Sequence, residues 1–409
     1  MKRVLIMGVG AQGSTIAKRL DEEKNVSEII CADYDLKAAE TLGNTLKKAK
    51  PIQIDAGDVQ SIVKAADGAD IIVNGVPIDY NLNVIEAALQ SNACYMDLCI
   101  TDVEENSIMD SAKYMFTVMD KRFKEKGLLA LTNTGSGPGL ANVIARESVD
   151  KMDSCDRIEI NVYEGIWTKK FIPFWWAPEV AFEDMADNPT RFENGEYVQT
   201  TPFANPIMIK FRGIDSEKRL VDHAHEEPIT MGFYADKYLK GVKTVIFRFG
   251  GPHVELAEAL YKMGFLTEKK REYEGMKYTP FDLVIEHAPD APKYPEEIQA
   301  IIKEGLITEE AAFQVKVEGQ KDGKPIRIVN YGNGPGLIES FEKSGLSHES
   351  YFTGQCAFVF SKLLVEDVIK QKGLIAPEAL DAEERKYFFK EAAKLDITVD
   401  QIIEQRICE

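Results

Sequence analysis

The first residues decide most of the architecture. The apolar run Arg3-Val4-Leu5-Ile6-Met7 passes without a linker into Gly8-Val9-Gly10-Ala11-Gln12-Gly13, and Ile16, Ala17 and Leu20 then fall at helical spacing. In that strand, turn and helix order each glycine has its own task. Gly8 makes the tight turn, Gly10 lets the backbone approach a pyrophosphate, and Gly13 lets helix and strand pack closely. The helix aims its free N–H groups and positive dipole end at the phosphates. A second strand, Glu28-Ile29-Ile30-Cys31-Ala32, ends at Asp33, whose carboxylate is placed to accept from adenosine ribose hydroxyls. The expected cofactor contacts are therefore Gly8, Gly10, Ala11, Gln12, Gly13 and Asp33. The expected cofactor is NAD rather than NADP, because a carboxylate repels a 2′-phosphate and no arginine closely follows Asp33.

Strand and helix patterns keep alternating up to the strand Leu128 to Leu131, the rhythm of a parallel sheet covered on both faces. A long helix is expected within Glu104 to Lys126. The rhythm breaks at Thr134-Gly135-Ser136-Gly137-Pro138-Gly139. Beyond it come long strands such as Arg157 to Tyr163, and hairpin signals at Asn194-Gly195 and Asp322-Gly323. The fold class expected is α/β: a doubly wound parallel-sheet Rossmann domain with a second α+β domain for substrate binding and dimerisation. The expected boundaries are 1–140 for the nucleotide domain, completed by C-terminal helices in 350–409, and 141–349 for the second. The last of those helices is expected over Val399 to Gln405.

At 409 residues the chain is too long for one ordinary core. A formal charge of -18 excludes nucleic acid and anionic membrane as expected partners, since both need a basic face. Six cysteines without CxxC pairs or nearby histidines indicate neither a zinc site nor a disulfide scaffold, so no metal is expected. The chain opens on its first strand with no apolar leader, and no run reaches the roughly 18 apolar residues of a membrane span. A cytoplasmic location is expected.

Candidate chemistry clusters at strand ends. Asn74, Gly75 and Val76 end the fourth strand, where open α/β sheets bind ligands, and are expected near the nicotinamide ribose. Asp97 ends the fifth; it is a candidate to orient substrate or act as base, the competing use being a helix cap. Gly137, Pro138 and Gly139 open a helix whose N–H groups would face a ligand, or else form a tight structural crossover. His225 with Glu226 is a candidate to bind an amino group or move a proton. Arg248 offers a bidentate grip on a substrate carboxylate, with a structural ion pair as its other use. Trp167, Trp175 and Trp176 lie in one aromatic segment whose commoner fate is core packing.

Together, Gly8-x-Gly10-x-x-Gly13, Val73-Asn74-Gly75-Val76-Pro77, Tyr95-Met96-Asp97 and Gly135-x-Gly137-Pro138-Gly139 resemble the saccharopine dehydrogenase-like family. The likeness extends to Pro178-Glu179, His225-Glu226-Glu227, Asp322-Gly323 and Ile375-Ala376-Pro377-Glu378. It implies a pyridine-nucleotide oxidoreductase acting on a carbon–nitrogen bond of an amino acid, as a homodimer built through the second domain. It also makes Asp97, His225 and Glu226 candidates for proton handling or amine binding, and Arg248 for carboxylate recognition. Members acting on saccharopine or carboxynorspermidine carry an aspartate before the Pro-Gly of the crossover, where this chain has Gly137. That departure shifts the expectation toward a simpler diamino acid, as in lysine 6-dehydrogenase. Two other readings stay open: a regulatory or scaffold protein that holds NAD without turnover, and an epimerase or lyase that retains its nucleotide.

Overall fold

A computed structural model describes residues 1–100, 103 and 108–405. The chain divides into two compact units, one of 1–150, 229–239 and 352–397, the other of 151–228, 240–351 and the C-terminal segment from 398.

The first unit is built on a seven-stranded parallel sheet. Its strands β1 (Lys2–Met7), β2 (Val26–Asp33), β3 (Ala49–Gln53), β4 (Ile71–Asn74), β5 (Cys94–Asp97) and β6 (Leu129–Leu131) run in the order 6-5-4-1-2-3. The Gly373–Ile375 strand adds to β6 at the outer edge. Val4, Leu5, Ile6 and Met7 are all within 1% of full burial, as a central strand covered on both faces requires. Leu5, Met7, Ile30, Ile72 and Tyr95 share one core with helix residues Val84, Ile85, Phe116 and Phe123. The helix expected within 104–126 is described from Ile108 and continues through a π-helical turn, Met115–Met119, to Glu125; residues 104–107 lie outside the described residues.

Register positions the functional edge. Met7 pairs with Asn74, and Asn74 with Asp97, so three carboxyl strand ends lie in one row. The strand order reverses between β1 and β4, the kind of point where such sheets bind ligands.

The second unit holds a mixed sheet of nine strands. Its centre is the Ser154–Thr168 strand, parallel to Thr244–Gly250 and antiparallel to Leu306–Lys321. Leu306–Lys321 and Lys324–Asn333 form the expected hairpin, with Asp322 and Gly323 both at positive φ (52° and 72°). Asn194 and Gly195 turn a second hairpin in the same way.

One expected helix is corrected. Val399 to Gln405 belongs to the Thr398–Gln405 strand, which pairs antiparallel with Lys324–Asn333. Val399, Ile402 and Ile403 sit at helical spacing, yet Ile402 and Ile403 are 40% and 52% exposed, and the segment is held by its ladder rather than by an apolar stripe. The fold class is otherwise the one expected: a doubly wound α/β unit and an α+β unit.

Candidate active site

The glycine turn is shaped by close backbone approaches. Gly8, at φ 81°, donates its N–H to the Ala32 carbonyl at 2.8 Å, and a β-carbon there would come within 2.7 Å of the Gly75 carbonyl oxygen. At Gly13 a β-carbon would overlap the Gly8 carbonyl oxygen and lie 3.3 Å from Ile6 Cγ2. Gly10 differs: nothing lies within 4 Å of its missing side chain, and both it and Ala11 are exposed. The following helix α1 (Ala11–Glu22) has no side-chain cap and no acid in its first turn. An open glycine before an uncapped helix N-terminus is a cradle suited to a diphosphate. Gln12 is half-buried beside it.

Asp33 is half-buried at the end of β2. Its Oδ2 accepts from the Val9 N–H at 2.8 Å and its Oδ1 from the Asp35 N–H at 2.9 Å. These bonds lock the carboxylate to the glycine turn while each oxygen keeps a further lone pair for a hydroxyl donor. The residues present therefore fit a dinucleotide.

At the next strand end the side chain of Asn74 turns inward. It is 2% exposed and donates to Asn81 Oδ1 at 2.7 Å and to the Tyr95 hydroxyl at 3.0 Å, while its Oδ1 accepts from the Val76 N–H at 3.3 Å. Asn74 thus shapes the turn, and the exposed Gly75 and half-buried Val76 are the groups presented outward. Asp97 also departs from expectation. It is 1% exposed; its Oδ1 accepts from Thr132 Oγ1 at 2.5 Å and from the Asn133 N–H at 3.2 Å. Its carbonyl accepts from Thr134 Oγ1 at 2.5 Å. A carboxylate so enclosed is a strut for the segment after β6, not an accessible proton acceptor.

The crossover closes on itself. Gly135 N–H donates to the Pro138 carbonyl at 2.8 Å, Leu140 N–H to Gly135 at 3.0 Å and Ala141 N–H to Ser136 at 2.9 Å, while Gly139 N–H goes to Asn142 Oδ1 at 2.9 Å. The expectation that this helix start offers its N–H groups to a ligand is corrected accordingly. Pro138 and Gly139 are buried, and Gly137 alone among residues 131–140 is partly exposed.

In the second unit, His225 stacks on Phe247 with ring centroids 3.9 Å apart and planes within 4°. Its Nδ1 is bonded to Glu227 Oε2 and lies 3.6 Å from Glu226 Oε2. Burial by itself would lower the imidazole's pKa, but the Glu227 and Glu226 carboxylates outweigh it and raise it to about 9. His225 is thus protonated at neutral pH. The Glu227 side chain is fully buried, and among the described residues its Oε1 has no hydrogen-bond partner. Sequence reasoning named His225 and Glu226 and passed over Glu227; its position two residues beyond the histidine was the available signal.

Arg248 is taken by the interior. It is 4% exposed, with Nη1 3.2 Å from Asn161 Oδ1 and 3.3 Å from Glu159 Oε1, and Nε 3.9 Å from Asp222 Oδ1. Cross-strand register explains this. Asp222 pairs with Arg248, Arg248 with Asn161, Asn161 with Gln314 and Gln314 with Tyr331, one row across five strands. Hydrogen bonds of 3.1 Å carry the row on from Asn161 to Gln314 and to the Tyr331 hydroxyl. Burial alone would raise Glu159, but Lys316, Arg248 and Arg157 hold it down at about 2. The expected carboxylate clamp is therefore a structural ion pair. Arg248→Met is expected to lower stability by about 2 kcal/mol, because Glu159 and Asp222 each keep another cation. Urea unfolding checks it, and a wild-type midpoint would contradict the assignment.

Other residues fall into place more simply. Trp175 is 5% exposed and packs with Ile166, Ile298 and Leu337. Trp176 meets the His253 ring edge-on, and Trp167 packs beside Tyr163 and Phe211. His348 pairs with Glu164 at 2.6 Å, a buried contact that its sequence surroundings did not signal. Two groups, His225–Glu226–Glu227 and Glu164–His348–Glu349, bring potential ligand atoms within 4.8 Å of one another, although each imidazole already has a carboxylate partner. Among the described residues no helix is long and apolar enough to cross a membrane.

Residues 4–131 match the saccharopine dehydrogenase NADP binding domain. Over 94% of both chains, the protein is 22% identical to carboxyaminopropylagmatine dehydrogenase of Synechocystis sp.. It is 23% identical to carboxynorspermidine synthase of Vibrio alginolyticus, over 93% of this chain and 92% of that one. Among solved structures, apo saccharopine dehydrogenase (L-Glu forming) of Saccharomyces cerevisiae superposes with a TM-score of 0.69 at 16% identity, covering 99% of this chain and 100% of that one. Homospermidine synthase of Legionella pneumophila, solved with NAD, gives 0.69 at 13% identity, covering 98% and 91%. With its nucleotide cradle and its two-unit fold, the chain resembles the saccharopine dehydrogenase-like family of NAD(P)-dependent oxidoreductases, whose NADP binding domain residues 4–131 match.

Proposed function

We propose that the protein oxidises or reduces the carbon–nitrogen bond of an amine that also carries a carboxylate, of the carboxylated polyamine class. The observation that carries the amine part is the pair of carboxylates, Glu226 and Glu227, on the single His225 imidazole. Two carboxylates on one imidazolium leave net negative charge. An ammonium group at the partly exposed Glu226 balances it. The names of the relatives in Synechocystis and Vibrio support this class over the simpler diamino acid suggested by Gly137.

The cofactor, when bound, supplies the hydride exchange. In the proposed reaction Gly8, Gly10, Ala11, Gln12 and Gly13 seat the diphosphate, Asp33 the ribose, and Gly75 and Val76 the nicotinamide side. Glu226 holds the substrate nitrogen, and the buried Glu227 holds His225 in place. His225, protonated at neutral pH, gives a proton to the leaving oxygen when a carbinolamine dehydrates to an imine, and takes one back in the reverse direction. Gly137 is the crossover residue placed against substrate.

Asp33 supports NAD as the preferred nucleotide, and a homodimer is the assembly inferred from the family resemblance. In Asp33→Ala, NAD binding is expected to weaken ~10-fold and NADP binding to strengthen, since hydrogen bonds to a charged group contribute about 1.5–3 kcal/mol. Fluorescence titration with each nucleotide measures both; an unchanged NAD affinity contradicts the ribose assignment. The functional test is a screen of carboxynorspermidine, saccharopine and lysine with each nucleotide, following reduced nicotinamide by absorbance. No turnover of any of the three would sink the amine reading.

A further inference from the structure

We infer that Glu378 is a positioning residue that acts through Asn142 to hold the Gly139 amide, and with it the crossover that presents Gly137. The inference rests on the proposed placement of Gly137 against substrate. Glu378 belongs to the segment Ile375-Ala376-Pro377-Glu378 and lies 236 residues from Asn142 in sequence. Asn142, Thr230 and Glu378 are all fully buried. Asn142 Oδ1 accepts from the Gly139 N–H at 2.9 Å, and its Nδ2 donates to Glu378 Oε1 at 2.7 Å. Thr230 Oγ1 donates to the same oxygen at 2.7 Å. The Glu378 backbone is pinned in turn, its carbonyl accepting from Arg146 Nη1 at 2.9 Å.

A carboxamide can exchange the places of its oxygen and nitrogen by a half-turn. Here that turn would set NH₂ against the Gly139 N–H and the carbonyl oxygen against the Glu378 carboxyl, two unfavourable contacts at once. Glu378 therefore selects the orientation that serves Gly139. What it contributes is an acceptor oxygen, which glutamine also offers and leucine does not.

The test uses the full chain. In Glu378→Leu and Asn142→Ala, amide exchange in a peptide spanning residues 135–142 is expected to rise ~10-fold, while Glu378→Gln and Thr230→Val stay near wild type. The double variant E378L/N142A is expected to be no worse than E378L. With the amine that wild-type protein turns over, N142A is expected to raise KM ~10-fold with kcat and NAD affinity nearly unchanged. Should E378L fail to fold, N142A and E378Q still decide the matter. Exchange in E378Q as fast as in N142A, wild-type exchange in N142A, or an unchanged KM beside a loosened loop each overturn the proposal. If wild-type protein turns over none of the amines screened, the amine reading fails while the exchange measurements still decide whether Glu378 holds the loop.

Discussion

Gly13→Ala protein is expected to lose nucleotide binding, with NAD affinity down by ~100-fold or more. The added carbon has no free direction. It would overlap the Gly8 carbonyl oxygen, which is main chain and cannot rotate aside, and it would press on Cγ2 of the fully buried Ile6 in β1. Relief comes only by moving α1 away from β1, which separates its N-terminus from the turn it must complete. The second unit contains none of these atoms, so its unfolding transition is expected to be unchanged. Calorimetric titration with NAD measures the loss, and an affinity within threefold of wild type would count against the cradle.

Glu227→Gln is expected to have the other large effect. The folded pKa of His225 lies near 9, above its ordinary 6.5, so the pair's contribution to stability is fully present below about pH 6.5 and is lost as pH rises through 9. A shift of that size corresponds to ~3 kcal/mol. The substituted amide offers no negative charge, so the imidazole is expected to titrate below 7 and stability at neutral pH to drop by about 3 kcal/mol. Between pH 7 and 9 the variant is expected to lose less stability than the wild type. Its kcat/KM for the amine is expected to fall ~100-fold, with nucleotide affinity retained. Nuclear magnetic resonance titration of the histidine ring protons, with melting curves from pH 6 to 10, tests both. Continued titration near 9 in the variant would show that Glu227 is not the controlling partner.

How far these sites were legible in the sequence depended on how local each signal was. The Ala32 and Gly75 contacts of Gly8 come from neighbouring strands, whereas Gly13 meets the Gly8 carbonyl five residues away, so its close packing was legible in the spacing. The Asn194-Gly195 and Asp322-Gly323 turns were legible for the same reason, since positive φ is a property of the turn itself. The Gly373–Ile375 strand was not. Three apolar residues show no period, and the strand exists because β6 offers it an open edge. Arg248 stands at a strand end as a ligand-binding guanidinium would; Asn161, Glu159 and Asp222, which claim it, are remote in sequence and meet it only through strand register. Asp97, open in sequence between a base and a helix cap, takes its partners from the neighbouring strand's end, where Thr132 and Asn133 reach it. Glu227 was adjacent to named residues, but adjacency does not reveal which carboxylate is buried.

The self-closed crossover has an evolutionary consequence. The turn is held by donors on Gly135, Gly139, Leu140 and Ala141, and by none on the residue between Ser136 and Pro138. Its conformation is thus insulated from whatever occupies that one outward position. A lineage can install or delete a charge there in a single mutational step while the four hydrogen bonds that close the turn keep their donors.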